Sequence, residues 1–142
     1  MCIRDSLPGA RTDPDEAVAF VAATGVDALA VAVGTEHRMT QRDAAVDFAL
    51  IERLRAALGC PLVLHGSSGV SDGDMWRAVQ AGISKVNIST HLNSVFTAAL
   101  REEMTLSPAS VDPRDYVGRG REALADEAER LLRLLAGKGS PG

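Results

Sequence analysis

Two short apolar runs and a third, mixed segment of similar length recur along the chain, and each leads into small or polar residues. Ala28-Leu29-Ala30-Val31-Ala32-Val33 leads into Gly34-Thr35-Glu36-His37. Leu62-Val63-Leu64 leads into His65-Gly66-Ser67-Ser68-Gly69, and Lys85-Val86-Asn87-Ile88-Ser89 into Thr90. The two apolar runs predict strands buried on both faces of a parallel sheet, and Lys85 to Ser89 is read as the third strand. Between them, apolar positions recur at three- and four-residue spacing, the period of a helix with one buried stripe. Ala17, Phe20 and Val21 predict a helix capped by Thr12 or Asp13, with Pro14 in its first turn and Gly25 at its end. Phe48, Ile51, Leu54 and Leu58 stripe a helix over 45–58, after a polar loop over 38–43. Met75, Val79 and Ala81 stripe a third helix, capped by Ser71 or Asp72 and stopped by Gly82. Thr90 starts a longer one carrying Leu92, Val95, Phe96, Ala99 and Leu100. A loop with Pro108 and Pro113 leads to a last helix over 119–135.

The order is α, then βα three times, then α, and the spacings His37 to His65 and His65 to Asn87 each suit one right-handed repeat. The carboxyl ends of parallel strands lie along one sheet edge, where α/β proteins hold their chemistry. Polar residues at three successive strand ends therefore converge.

Composition narrows the class. The chain has 142 residues, 46% hydrophobic and 24% charged, as in a globular domain with its own core. The formal net charge is −4, and arginines are interspersed with acids, so no basic patch points to nucleic acid. No apolar run approaches the roughly 18 residues of a membrane span. The cysteines are Cys2 and Cys60, which argues for reduced thiols and a cytoplasmic setting. Met1-Cys2-Ile3-Arg4-Asp5-Ser6 reads as a scar of sequence assembly, so 1–11 is expected to be a non-native or disordered start, 12–136 the folded part and 137–142 a disordered tail.

Three chemistries fit the strand ends. His37 and His65 could present imidazoles to one divalent metal, zinc (Zn2+) above all, against the plainer reading of two unrelated polar residues at a sheet edge. Gly66-Ser67-Ser68-Gly69 and Asn87-Ile88-Ser89-Thr90 could cradle a phosphate with backbone N–H groups and a helix N-terminus, or serve as ordinary caps. Lys85 could form a Schiff base with a ketose, or pair with an acid.

Four segments resemble the class II, zinc-dependent ketose-bisphosphate aldolases (fructose- and tagatose-bisphosphate aldolases). They are Gly25 to His37, Leu62 to Val70, Gly82 to Thr90, and Asp112-Pro113-Arg114-Asp115-Tyr116. They come in the family's order and spacing, and the resemblance runs from Thr12 to Leu135. It implies an α/β fold, the C-terminal portion of a TIM (β/α)8 barrel, with three parallel strands, their helices and further C-terminal helices. It implies zinc ligands at His37 and His65, and binding of dihydroxyacetone phosphate by Gly66, Ser67, Ser68, Asn87, Ile88, Ser89 and Thr90. The implied reaction is aldol cleavage and condensation of a ketose bisphosphate by a cytoplasmic enzyme, a homo-oligomer when full length, with no nucleic-acid or membrane partner. The family's Asp-His pair, which supplies the acid/base and another zinc ligand, has no match here and is expected upstream, so the chain alone is expected to be inactive. Arg38 stands where the family often has a ligand-contacting Gly, and that contact is not carried over. Two other readings are a Schiff-base aldolase using Lys85 and a non-catalytic phosphate-binding fragment.

Overall fold

In a computed structural model, residues 10–35 and 44–137 are described. His37, Arg38, Cys2, the polar loop over 38–43 and most of the two expected terminal segments lie outside them. The described elements are α1 (Pro14–Thr24), β1 (Leu29–Val31), α2 (Phe48–Ala57), β2 (Leu62–Leu64), α3 (Asp72–Ala81), β3 (Ile83–Val86), α4 (Thr90–Leu106) and α5 (Pro113–Leu135). They fall into two units, which meet in the sequence between Ile88 and Ser89.

In the first unit, β1, β2 and β3 form a parallel sheet in that order, as expected. Alternation along the strands makes two faces. Leu29, Val31, Leu62, Leu64 and Ile83 join one apolar cluster with Ala17 of α1, Leu50, Ile51 and Leu54 of α2, and Ala78 of α3. Ala30, Val63 and Lys85 are aligned across the sheet in the alternate register. The helices therefore cover the Leu62/Leu64 face. At about 25 cal/mol per Å2 of apolar surface, each fully buried Leu or Ile contributes roughly 1.5–3 kcal/mol, which makes this cluster the main support of the sheet.

Caps fix the helix starts. Asp13, not Thr12, caps α1, accepting from the amides of Asp15 and Glu16. The Thr12 hydroxyl instead accepts from the Ala32 amide at 2.8 Å. The helix expected over 45–58 starts later, at Phe48. Its N-cap Asp47 donates its own amide to the Val33 carbonyl at 2.8 Å, and Ala44 donates to Gly69. Residues before Phe48 are thus held against strand ends rather than coiled.

β3 lies earlier than the expected 85–89. Gly82, at φ +127°, closes α3 by donating to Ala78 and Val79 and turns straight into Ile83. A register shift beside β2 leaves Ser84 as an extra residue, and the strand is over by Asn87. The polar Ser84-Lys85 pair hid this start.

The second unit is a helical hairpin of α4 and α5. α5 begins at Pro113, six positions before the expected start. Asp112 caps it and Pro113 occupies the first turn, repeating the Asp13-Pro14 signal of α1. Among the described residues, no helix is long and apolar enough to cross a membrane.

Candidate functional site at the strand ends

β2 delivers its last apolar residue, Leu64, into the core and passes His65 to the carboxyl edge, half-buried. Gly66 then adopts φ +64°, in the left-handed region that glycine enters without strain, and Ser67–Gly69 make one tight helical turn. Val70 closes that turn by donating its amide to the Ser67 carbonyl.

The three strand ends are tied side to side. Following β1, the buried Thr35 hydroxyl donates to the His65 carbonyl at 2.5 Å. Following β2, the Ser67 hydroxyl, on a residue only 2% exposed, donates to the Asn87 carbonyl at 2.6 Å. Following β3, the Asn87 amide donates to the Leu64 carbonyl at 3.0 Å, and its side-chain nitrogen lies 3.0 Å from Nε2 of His65. Asn87 is thus fixed at its N–H, its C=O and its side chain. Buried hydroxyls in such ties are costly to leave unpaired, so each strand end holds its neighbour.

The structure brings Gly66, Ser67, Ser68, Asn87 and Ile88 to this edge of the first unit, with His65 among them. Ser89 and Thr90 belong to the second unit, where Thr90 opens α4. His37 lies outside the described residues. Thr35 was missed in the sequence reading. Its signal was its place in Gly34-Thr35 directly after an apolar run, but a lone Thr there reads equally as a cap or turn residue.

Of the described helices of eight residues or more, α4 is the one whose N-cap makes no side-chain hydrogen bond. α1, α2, α3 and α5 are capped by Asp13, Asp47, Ser71 and Asp112. The first amides of a helix lack partners within it.

Zinc can be tested against His65. Its Nε2 is engaged by Asn87 at 3.0 Å. The outer nitrogen of a metal-bound histidine needs a hydrogen-bond acceptor. Asn87 supplies one when its amide is turned to present Oδ1. His65 therefore fits as one ligand. Among the described residues no group of three or more His, Cys, Asp or Glu is gathered as a metal site. Lys85 is exposed, so its described surroundings do not supply the desolvation that activates a lysine nucleophile.

A parallel sheet with helices and a polar cluster laced across its carboxyl edge is the arrangement of α/β proteins, (β/α)8 barrels among them, that hold their sites at strand ends. The comparisons make the class specific: the model of the family described as fructose-bisphosphate aldolase class-II matches residues 3–140, and this chain belongs to that family. It is similar to the YdjI aldolase of Escherichia coli K12, at 34% identity and a TM-score of 0.80 over 96% of this chain and 50% of that one. A putative fructose-1,6-bisphosphate aldolase of Coccidioides immitis matches at 25% identity and a TM-score of 0.78, over 95% of this chain and 46% of that one. A fructose-bisphosphate aldolase of Campylobacter jejuni, 19% identical with a TM-score of 0.74 over 93% and 47%, shares the fold. The chain spans about half the length of these solved relatives.

Proposed function

We propose that this chain, over 12–136, carries the zinc-holding and phosphate-holding side of a class II aldolase. The enzyme would cleave and form a ketose bisphosphate of the fructose or tagatose type, with dihydroxyacetone phosphate and an aldehyde as partners. The carrying observation is the laced edge Thr35–His65–Asn87–Ser67, which belongs to the family's matched segments.

His65 and His37 would hold the zinc, which when bound polarises the ketose carbonyl as a Lewis acid. Asn87 orients the His65 ring through Nε2. Gly66 lets the backbone approach the ligand closely, and the N–H groups of Gly66, Ser67 and Ser68 would hold the phosphorylated end. Ser67 serves through its backbone, because its hydroxyl is spent on Asn87. Asn87, Ile88, Ser89 and Thr90 would bind the same ligand, with the uncapped start of α4 offering amides and the positive end of its dipole. Fixing the ketose this way supplies orientation, which can be worth several kcal/mol of barrier. We assign the proton transfer to no residue of this chain, and expect the 142-residue chain alone not to turn over. The full-length enzyme is read as a cytoplasmic homo-oligomer.

The test is a zinc-binding and cleavage experiment on the full-length protein. His65→Ala should lose zinc by elemental analysis and lose ketose-bisphosphate cleavage together. Borohydride trapping of substrate on Lys85, with chelator-insensitive turnover, would replace this reading by a Schiff-base aldolase.

A further inference from the structure

The α4–α5 hairpin contains a polar contact that neither the fold nor the zinc reading uses. His91, the second residue of α4, places Nε2 2.6 Å from Oε1 of Glu127 on α5, with side-chain exposures of 22% and 16%. Arg130, one turn along α5, clamps the same carboxylate, with Nε 2.8 Å from Oε2 and a terminal nitrogen 2.7 Å from Oε1. The contact crosses from one helix to the other and meets α4 within its first turn.

A side-chain cap ordinarily does two things: it fixes the first turn, and it occupies the turn's amides. Ser89 makes no cap bond. The turn is held instead from the side, by the imidazole of His91 on a carboxylate that Arg130 has already oriented. The His91 carbonyl is also engaged, accepting from the Ser94 hydroxyl at 2.7 Å.

We propose that Glu127, through His91, is a positioning residue for the phosphate-binding start of α4. This rests on the reading above that Ser89 and Thr90 bind the phosphorylated ligand. Glu127 touches no substrate; it fixes the direction in which the amides of Thr90 and its neighbours point. A phosphate held by several N–H groups at once is sensitive to that direction, since hydrogen bonds weaken steeply with misalignment.

The experiment titrates inorganic phosphate, and separately dihydroxyacetone phosphate, into the 142-residue chain, with the thermal midpoint measured on each sample. The variants are Glu127→Ala, His91→Leu and His91→Gln. His91→Leu keeps volume and helix propensity, so it provides the disruptive arm even if Glu127→Ala does not fold. Loss of the pin should weaken binding of either ligand about 3- to 10-fold in Glu127→Ala and His91→Leu, beyond any change in thermal midpoint. His91→Gln, which keeps a donor for Glu127, should restore affinity to within about twofold. Unchanged affinity in a folded His91→Leu, with only its midpoint lowered, would make the contact merely structural and overturn the inference while leaving the proposed function standing. Absence of binding by the parent chain would overturn both.

Discussion

Gly34 carries the heaviest local constraint near the site. It holds φ at +102°, and a Cβ there would lie 2.2 Å from the Ala45 carbonyl oxygen. Gly34→Ala combines a conformation that L side chains rarely adopt with a collision against backbone. It should cost about 3 kcal/mol or more, read as a lower urea midpoint with an unchanged slope. Ser67→Ala should cost less, about 1 kcal/mol, because the exposed Asn87 can take water in place of the lost hydroxyl. The same change should quicken hydrogen exchange around Asn87, and unaltered exchange there would argue that the tie does not hold β3's end. These residues also show what the sequence reveals at this scale. The tight turn after β2 was legible from its glycines and serines, and their service as a cradle is the proposal made above. That Ser67 spends its hydroxyl on Asn87, and that Thr35 supports His65, depends on which strands pair, and pairing is not encoded locally.

Helix boundaries show the same division between elements. The sheet order and the first two strands were legible, because runs of Val, Leu and Ala without alternation fit a strand covered on both faces, whereas the third was legible from the βα repeat and placed two residues late. The start of α5 was misplaced since Pro113 was read as a loop residue, although Asp112-Pro113 repeats the Asp13-Pro14 start of α1. Within the hairpin, a Cβ on the buried Gly120 would come 2.8 Å from the Phe96 ring. Gly120→Ala gains up to about 1 kcal/mol of helix propensity. It then forces the ring aside, at an overpacking cost of about 1–3 kcal/mol. A net loss of stability is expected, relieved in a double-mutant cycle by Phe96→Leu; additive effects would mean the two do not touch. Glu127 gives the hairpin a pH dependence at its inter-helix contact. The Arg130 guanidinium first, then His91, pulls its carboxyl down from 4.5 to about 2, against the upward push of burial. A carboxyl lowered by folding stabilises the protein above its ordinary value and loses that contribution as pH falls toward the folded one. The stability difference between the parent and Glu127→Gln should therefore be full above about pH 5 and shrink between pH 4.5 and about 2. A difference that stays constant across that window would contradict the assignment.

For the molecule as a whole, the described parts of three of the family's segments lie at strand ends of one sheet, the third running on into the start of α4, while Asp112 to Tyr116 opens α5 in the second unit. The class was legible because those segments are contiguous in sequence. The proposed pairing of His37 with His65 rests on residue type and spacing, and His37 lies outside the described residues. The central claim is that this chain holds the ketose phosphate with the turn after β2 and the segment after β3. The most direct measurement is a titration of dihydroxyacetone phosphate, with zinc present, into 15N-labelled chain, followed by amide shifts. The account predicts saturable shifts concentrated at Gly66, Ser67, Ser68 and at Asn87 to Thr90, diminished in the presence of competing inorganic phosphate. Saturable binding that leaves those amides unmoved, or no binding at all, would contradict it.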